Sequence, residues 1–352
     1  MLIAIHPDRT GAESYSAKWS RFLENLNVQV KWVDLTGVDA LEQVRDCDGV
    51  MWRWAHTHQD RIKAYRILHT IEHYLAIPIF PNHNTCWHYD EKITQHYIFQ
   101  ALNIPTPNTW IFWDKEKAIE WAKETKYPKV FKLSSGASAS NVVKVNSKDE
   151  ALKLINKMFD RGIFPLTMNE FKKRVFLPKN IRELRAMVCR MKHGFDFGLR
   201  GVYPPLPTSW WRPEKGYVYF QEFLSDNEYD TRVTIIGNRA FAFRRFNRSN
   251  DFRASGSGDF DLDPSKVDLD CIRMAYDISK KLKFQSMAYD YLFQNTYPLV
   301  SEISYTFPDH TLARCPGYWQ PDLTWVEQKM WPEEAQVEDF IEYIRKDKAI
   351  RK

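Results

Sequence analysis

Two apolar segments late in the chain, Met287–Phe293 and Leu299–Ser304, predict a β-hairpin that carries one acidic residue in each strand. Residues 294–297 predict the turn, and a loop of about five residues places Asp290 opposite Glu302 in an antiparallel ladder. Facing carboxylates repel each other. A divalent cation between them turns that repulsion into binding, and oxygen ligands of this kind suit Mg²⁺. Two exposed carboxylates at a sheet edge are the alternative interpretation.

Length and composition indicate a folded protein with more than one structural unit. The chain has 352 residues, which at roughly 150 residues per domain allows two or three units. Its net charge of +5 comes from 50 basic and 45 acidic residues without a long single-sign block. This pattern weakly favours an anionic ligand. We expect no nucleic-acid partner, because no zinc finger, aromatic RNA-binding pattern or basic helix is visible.

Cysteine usage and the N-terminal segment both favour a cytoplasmic location. The five cysteines are odd in number, scattered, and without paired CxxC spacing, so we expect reduced thiols. The apolar run at the start breaks at Pro7, far short of a secretory segment or a transmembrane helix. We therefore predict a cytoplasmic protein with no transmembrane segment.

Predicted strands and helices alternate over the first 85 residues, which is typical of a small parallel sheet. The predicted elements there are strands 2–5, 28–33 and 49–54 and helices 15–25, 38–44 and 62–75. The next predicted elements are helices 87–102, 115–124 and 148–159 and strands 109–112, 129–133 and 142–145. From residue 164 onward the predicted elements are strands 183–190, 217–223, 231–236 and 240–245, helix 267–281, the acidic hairpin, and a final helix 337–345.

Lys132 ends a predicted strand and is followed by a run of small residues at 134–141. A lysine charge beside a loop rich in exposed backbone N–H groups is a physically reasonable phosphate site. A solvated hairpin is the alternative. Gly136 is the single glycine of this run, and the chain contains neither a GxxxxGK[ST] nor a GxGxxG pattern.

Charged residues are also concentrated on two otherwise apolar strands before the hairpin. A two-residue turn at Gly237 and Asn238 places Asp230 opposite Arg245 and Arg232 opposite an apolar position. A structural network of ion pairs is the alternative to a binding site.

In this order the segments resemble the ATP-grasp superfamily, most closely its carboxylate–amine ligase branch of RimK-like and glutathione synthetase-like proteins. The resemblance covers roughly residues 86–306, and its best match runs from residues 220–224 to Asp290 and Glu302. It implies an α+β ATP-grasp fold with an N-terminal α/β pre-ATP-grasp domain. The implied parts are the pre-ATP-grasp domain at 1–85, ATP-grasp subdomain A at 86–163, subdomain B at 164–330, and a C-terminal helix and tail at 331–352.

The same resemblance assigns a role to each matching residue. The implied nucleotide-contacting residues are Lys92, Lys132, Gln221, Glu222, Phe223, Leu224 and Asp230. The implied catalytic residues are Lys132, Arg245 and Arg253. The implied metal ligands are Asp290, Glu302 and Ser304. The chain departs from the family pattern at Ser304, where asparagine is usual, and in the low glycine content of the loop after Lys132.

Members of this branch transfer the γ-phosphoryl group of ATP to a carboxylate, and an amine then attacks the acyl-phosphate to form an amide. The resemblance therefore implies ATP and Mg²⁺ as cofactors and a small carboxylate and an amine as substrates. The predicted substrate-binding residues are Arg53, Arg232 and Arg244. Arg53 lies at the end of a predicted buried strand, where an open α/β sheet presents its binding crevice. The arginine-flanked aromatic stretch 203–212 either stacks on a sugar ring or caps the fold.

The segment 315–327 is similar to C-terminal segments of ATP-grasp proteins associated with bacterial surface-polysaccharide synthesis. This similarity implies a sugar carboxylate, such as a uronic acid, joined to an amino acid or small amine. Homodimers are common among such proteins, although no interface is visible in the sequence. Cys315 is expected to be a packing residue. Two alternatives to a ligase remain, a small-molecule kinase and a non-catalytic nucleotide-binding module.

Overall fold

The computed structural model describes residues 1–8, 14–55, 58–136, 142–163, 213–248 and 251–351. These residues form two compact units, the first from the described parts of 1–55, 61–107 and 224–351 and the second from 58–60 and the described parts of 108–223. The predicted strand 183–190, the aromatic stretch 203–212 and residues 137–141 of the small-residue loop lie outside the described residues. The division into four parts stays a prediction.

A four-stranded parallel sheet lies in the first unit, as the alternating pattern predicts. Its strands are β1 (Leu2–Ile5), β2 (Gln29–Trp32), β3 (Gly49–Met51) and β4 (Ile79–Phe80), in the order β2-β1-β3-β4. The helices along this part of the chain are α1 (Tyr15–Asn25), α2 (Ala40–Val44) and α3 (His58–Tyr74). Ser14 caps α1 by accepting a hydrogen bond from the backbone N–H of Ala17.

The prediction of a single helix over 87–102 was wrong in its first part. The chain forms α4 (His83–Cys86) and then α5 (Lys92–Ala101). Between them Asp90 has a φ of 54°, in the left-handed region that aspartate tolerates better than most residues. Lys92 is therefore the first residue of a helix, not a residue in the middle of one.

A four-stranded sheet forms the centre of the second unit. Its strands are β5 (Thr109–Phe112), β6 (Lys129–Lys132), β7 (Val143–Val145) and β8 (Val218–Glu222), paired antiparallel in the order β5-β8-β6-β7. Two helices, α6 (Lys115–Glu124) and α7 (Lys148–Phe159), pack against each other beside it. Asp114 and Ser147 cap them by accepting hydrogen bonds from backbone N–H groups of the first turn.

The large sheet of the first unit has seven strands among the described residues. They are β9 (Tyr229–Ile236), β10 (Arg239–Phe246), β11 (Phe260–Asp261), β12 (Ser286–Gln294), β13 (Tyr297–Ser304), β14 (Tyr318–Trp319) and β15 (Trp325–Val326). Their order is β13-β12-β9-β10-β14-β15, with β11 paired to β10. The helices of this region are a 3-10 turn (Pro264–Lys266), α8 (Leu269–Leu282), α9 (Asp309–Leu312) and α10 (Pro332–Arg351).

The two faces of the large sheet bury different hydrophobic clusters, because side chains alternate along each strand. Val233, Tyr289 and Ile303 lie opposite one another and pack into the cluster that includes α8. Phe241 and Phe243 point to the other face and pack beside α9 and the start of α10. Four of the charged residues that matched the ATP-grasp pattern lie at one end of this second face, namely Asp230, Arg232, Arg245 and Asp290.

Helix α10 is longer than predicted and covers the first sheet. It begins at Pro332, where a fixed φ and a missing N–H are tolerated. Phe340 and Ile344 are buried with Ile3 and Ile5 of β1 in one hydrophobic cluster. Among the described residues, no helix combines the length and the apolar character that crossing a bilayer would require.

Candidate functional site

The acidic hairpin places Asp290 directly opposite Glu302, as predicted. The route to this register differs from the prediction, because β12 ends at Gln294 and β13 begins at Tyr297. Such a two-residue turn by itself would pair Asp290 with Ser301. A β-bulge next to Asp290 shifts the pairing by one residue and brings Glu302 into place.

The same bulge decides which way the glutamate points. Val300 and Ile303 both pack into the cluster beside α8, although three residues apart they would face opposite sides of a regular strand. Ser301 is the extra residue that makes this possible. Glu302 therefore points to the same face as Asp290.

Asp290 belongs to a cluster of two aspartates and two arginines. Arg232 donates to its carboxylate through Nε (2.7 Å) and Nη2 (2.8 Å), and Nη2 of Arg245 lies 2.8 Å from Oδ2. Arg245 also donates to Asp230 through Nε (2.7 Å) and Nη2 (2.5 Å). The register predicted from the turn at residues 237 and 238 is confirmed, with Asp230 opposite Arg245 and Arg232 opposite Phe243.

The two aspartates of this cluster have pKa values shifted in opposite directions. Burial raises the pKa of Asp290, but the charges of Arg232 and Arg245 outweigh burial and leave that pKa well below its usual value. Burial raises the pKa of Asp230, and the negative charge of Asp290 adds to the effect although Arg245 opposes it. Asp290 is therefore the more firmly ionised of the two.

Glu302 lies beside Lys92, the lysine implied to contact the nucleotide. The Nζ of Lys92 is 3.2 Å from Oε1 of Glu302, and the glutamate side chain is 37% exposed. Gln95, one turn further along α5, donates to the backbone carbonyl of Ile303 at 3.0 Å. This contact holds the helix against β13. The structure thus brings together one predicted nucleotide-contacting residue and one predicted metal ligand.

Ser304 points to the same face as Glu302, but its hydroxyl forms a hydrogen bond within the chain. It lies opposite Ala288 and donates to the backbone carbonyl of Thr306 at 2.7 Å. The hydroxyls of Thr306 and Tyr89 are in turn 2.6 Å apart. A role for Ser304 as a metal ligand stays a prediction.

The oxygen atoms at this end of the sheet are of the kind that coordinates Mg²⁺. Asp290 and Glu302 offer carboxylate oxygens on neighbouring strands, and Mg²⁺ that carries nucleotide phosphates is usually held by one or two carboxylates, with waters and phosphate oxygens completing its shell. Three guanidinium N–H groups already use part of the acceptor capacity of Asp290. Within the described ranges, no group of three or more His, Cys, Asp or Glu side chains is arranged to hold a metal ion.

Arg53 has a hydrogen-bonding capacity that the described chain does not use. Its guanidinium lies 4.3 Å above the ring of Tyr15, and its buried Nε finds no hydrogen-bond partner among the described residues. Burial lowers the pKa of Arg53, but the nearby Tyr15, Tyr89 and Tyr305 and the carboxyl of Asp8 raise it more. A buried, permanently charged donor of this kind suits an anionic ligand.

Two other predicted arginines lie apart from the Asp290 cluster. Arg244 points to the opposite face of the large sheet, pairs with Asp261, and lies 4.8 Å from the ring of Tyr229. Arg253 pairs with Asp251 through Nε (2.9 Å) and Nη2 (2.6 Å). The structure does not bring either arginine into contact with Asp290, and their proposed roles stay predictions.

In the second unit Lys132 is buried beside the predicted adenine-contacting strand. Its Nζ donates to Oε1 of Gln221 at 2.7 Å. The amide nitrogen of Gln221 donates to the hydroxyls of Thr109 (3.1 Å) and Tyr219 (3.3 Å). The orientation of Gln221 is thereby fixed, with its carbonyl oxygen towards the lysine.

The rest of the predicted adenine segment lies at the end of β8. Glu222 accepts from the side chain of Asn108 at 2.8 Å, and its backbone N–H donates to the carbonyl of Asn108. Lys144 places Nζ 4.0 Å from the ring centre of Phe223. Leu224 follows, half-buried. Contacts of these residues with a nucleotide stay predictions.

Sequence reasoning missed the acceptor for the small-residue loop after Lys132. The backbone N–H groups of Ser134 and Ser135 donate to the two carboxylate oxygens of Glu214, each at 3.0 Å. The hydroxyls of Ser135 and Tyr217 donate to the same carboxylate. Glu214 is 79 residues beyond Ser135 in the chain, and no local pattern marks it.

Cys315 packs in the hydrophobic cluster beside α9. Burial raises the pKa of its thiol to about 12, so it stays protonated at neutral pH. Both observations agree with the expected packing role.

Comparison with known proteins gives the fold. No protein-family model matches the chain. The RimK-domain ATP-grasp protein of Sphaerobacter thermophilus superposes with a TM-score of 0.54 at 13% identity, over 97% of this chain and 99% of that one. The D-alanine–D-alanine ligase of Bacillus anthracis, solved with ATP, superposes over both whole chains with a TM-score of 0.55 at 12% identity.

The chain has the ATP-grasp fold. A third structural match, N5-carboxyaminoimidazole synthase of Aspergillus clavatus in complex with ADP and 5-aminoimidazole ribonucleotide, has a TM-score of 0.56 at 10% identity. It covers 97% of this chain and 76% of that one. The α+β ATP-grasp fold predicted from the sequence is therefore confirmed.

One sequence relative adds a local match. A stretch of 75 residues is 39% identical to α-aminoadipate–LysW ligase LysX of Saccharolobus solfataricus and covers 21% of this chain and 27% of that protein. The chain thus aligns with only about a quarter of the length of this relative. The sequence similarity to LysX is therefore confined to a part of this chain.

Proposed function

We propose that the chain is an ATP- and Mg²⁺-dependent carboxylate–amine ligase. The observation that carries this proposal is the in-register pair Asp290 and Glu302, with Lys92 beside the glutamate, on an ATP-grasp fold. The names of the relatives support it, because LysX and the Bacillus anthracis protein are both ligases. The Bacillus anthracis ligase is also described as complexed with ATP.

Asp290 and Glu302 would hold the magnesium ion, with Ser304 as a further oxygen ligand. When bound, Mg²⁺ supplies positive charge to phosphoryl oxygens that become more negative during transfer. Lys92, Lys132 and Arg253 are proposed to add to this neutralisation. Asp230 and residues 221–224 are proposed to contact the ribose and the adenine.

In the proposed reaction a carboxylate oxygen of the substrate attacks the γ-phosphorus, and the bond to ADP breaks. The amine nitrogen then attacks the carbonyl carbon of the acyl-phosphate. Phosphate leaves with the bonding electrons, the nitrogen loses a proton, and an amide forms. Positioning and charge neutralisation supply the rate enhancement, so no side-chain nucleophile is needed.

Arg53 is the best-supported of the three proposed substrate arginines. Arg232 is paired with Asp290 and Arg244 with Asp261, whereas Arg53 forms no ion pair with a carboxylate among the described residues. Its buried Nε, like that of Arg244, has no hydrogen-bond partner there. We propose that Arg53 binds the substrate carboxylate. The similarity of residues 315–327 to polysaccharide-associated proteins supports a sugar carboxylate, such as a uronic acid, joined to an amino acid or small amine.

The ligase proposal is tested by measuring ADP release with the full chain, ATP, Mg²⁺ and pooled sugar acids and amino acids. We expect release to require both a carboxylate and an amine, and mass spectrometry to find a product heavier than the acid by the amine minus water. Asp290→Asn and Glu302→Gln should each lower turnover by at least about a hundredfold. Asp270→Asn, which alters an exposed carboxylate, is the matched control and should leave turnover unchanged.

The outcomes separate the ligase from its rivals. ADP release that needs the acid but no amine would identify a kinase. ATP binding without any turnover would identify a nucleotide-binding module. Turnover that is equal in the wild type and in both site variants would remove the proposed metal site.

Arg53→Met tests the carboxylate assignment separately. It should raise the KM for the acid by about ten- to a hundredfold while leaving the KM for ATP within about twofold. An unchanged KM for the acid would exclude the proposed role of Arg53 in binding the substrate carboxylate.

A further inference from the structure

Backbone donors directly after Lys132 already hold an anion that belongs to the chain. The N–H groups of Ser134 and Ser135 each donate to one oxygen of the Glu214 carboxylate at 3.0 Å. The Ser135 hydroxyl donates to the same group. Successive N–H groups aimed at one oxyanion are the arrangement in which proteins bind phosphate groups. We call Ser134 and Ser135 the serine pair.

The backbone around Glu214 is held in place, so only its side chain is free to exchange. Its N–H and carbonyl both bond to the backbone of Ile163, each at 2.9 Å. Tyr217 donates its hydroxyl to the carboxylate and accepts the Ser134 N–H at 2.7 Å. A carboxylate tethered in this way stays at high effective concentration next to the serine pair even when it has been displaced.

We propose that Glu214 is an internal competitor of the phosphoryl group that the loop after Lys132 is predicted to bind, because its carboxylate occupies the N–H donors of the serine pair. This inference rests on the proposed ATP-dependent function, because Lys132 ends the strand that leads into the serine pair. Two acceptors cannot share the same two N–H donors at full strength, so a phosphoryl group binds there only after the Glu214 side chain has rotated away. Glu214 thereby weakens the binding of anions that cannot outcompete a carboxylate, and it satisfies the buried donors when no phosphoryl group is bound.

The proposal predicts that removing the charge of Glu214 strengthens polyphosphate binding. Titration calorimetry of the full chain with tripolyphosphate, without metal, should give a dissociation constant about tenfold lower for Glu214→Gln than for the wild type. Tyr217→Phe removes one hydrogen bond from the Glu214 carboxylate and one competing acceptor from the Ser134 N–H, so it should lower the constant by about two- to threefold. If Glu214→Gln fails to fold by circular dichroism, Tyr217→Phe decides the question.

Glu150→Gln is the matched control in the same unit. Glu150 also accepts a backbone N–H, that of Asn146 at 2.8 Å, but it does so at the exposed start of α7. Its replacement should leave the dissociation constant unchanged. Wild-type and Glu214→Gln chains that bind tripolyphosphate equally, or a variant that binds it more weakly, would overturn the role of Glu214 and leave the ligase proposal intact. A wild-type chain that binds neither tripolyphosphate nor ATP would instead contradict the ligase proposal as well.

Discussion

Asp290 shows how arginine side chains stabilise a buried carboxylate in the large sheet. It shares Arg245 with Asp230 and is also bound by Arg232, so the buried cluster contains two positive and two negative groups. Each guanidinium satisfies a carboxylate through two N–H groups, which is the geometry that arginine provides and lysine does not. Removing one arginine would leave negative charge buried without a partner.

Arg245→Met should therefore destabilise the fold strongly. We expect the free energy of unfolding to fall by about 3 to 5 kcal/mol, because two buried carboxylates lose a shared partner. Urea denaturation followed by circular dichroism measures this loss. Arg273→Met removes the exposed pair with Asp270 and should cost about 0 to 1 kcal/mol. Equal losses in the two variants would show that the cluster contributes no more than a surface ion pair.

A second charged cluster predicts how stability depends on pH. Glu333 is fully buried, and its Oε1 is 3.5 Å from Nζ of Lys18. Burial raises the pKa of Glu333 from 4.5 to about 8, and the adjacent Asp309 adds to the rise while Lys18 opposes it. Between these two pH values the folded chain keeps a proton that the unfolded chain loses. The contribution of Glu333 to the free energy of unfolding should therefore decrease as the pH rises from 4.5 to about 8, by up to about 1.4 kcal/mol per pH unit. Buried His88 acts in the opposite direction over the lower part of this range, because burial lowers its pKa from 6.5 to about 4.

Urea titrations at several pH values from 5 to about 8 measure this decline. Glu333→Gln should remove the Glu333 contribution, because glutamine does not titrate, and the difference between the wild-type and variant pH profiles measures it. Asp309 adds no decline of its own, since burial raises the pKa of its carboxyl but hydrogen bonds with Glu333 and Lys18 outweigh burial and lower that pKa from its usual value. Glu342→Gln, at an exposed ion pair with Lys346, should keep the wild-type decline. A Glu333→Gln variant with an unchanged slope would show that another group is responsible.

At the scale of secondary-structure elements, the sequence predicts those strand pairings whose register is set by alternating apolar residues and by turn residues. The Gly237–Asn238 turn gave the pairing of β9 with β10, because a two-residue turn fixes the register. The bulge at Ser301 was not predictable, since a bulge has no compositional signature. The break at Asp90 was missed for a related reason, because helical periodicity continues on both sides of it. Glu214 lies too far along the chain from the serine pair for any local pattern to connect them.

The β9–β10 turn also depends on its glycine for space. Gly237 has a φ of 53°, and a Cβ there would lie 2.0 Å from Oδ2 of Asp339 on α10. Gly237→Ala should lower the free energy of unfolding by at least about 2 kcal/mol, from left-handed strain together with this clash. Gly258 has a φ of 80° with nothing within 4 Å of the added Cβ, so Gly258→Ala should cost only about 1 kcal/mol. Thermal or urea unfolding compares the two, and equal costs would exclude the clash.

At the scale of the whole molecule, the first unit is assembled from distant parts of the chain. Order and spacing of the charged segments were enough to predict the ATP-grasp fold, because those segments recur together in that superfamily. Which hydrophobic faces pack together was harder to predict, since an apolar stripe does not specify its partner. The burial of α10 against β1 is the clearest case.

Ile344 tests how much that helix contributes to the fold. It is fully buried beside β1, whereas Ile350, less than two turns away on the same helix, is 85% exposed. Ile344→Ala should lower the free energy of unfolding by about 2 to 5 kcal/mol. Ile350→Ala should change it by less than about 0.5 kcal/mol. Similar small changes in both would mean that α10 adds little to the stability of the first sheet.

The position of α10 also has a consequence for protein synthesis. The apolar face of β1 leaves the ribosome early, while the helix that buries it comes from the other end of the chain. At about 5 to 20 residues per second, the delay is roughly 15 to 70 seconds. During that time the nascent chain exposes a surface that invites aggregation, so chaperone capacity during translation should affect the yield of this protein more than its equilibrium stability does.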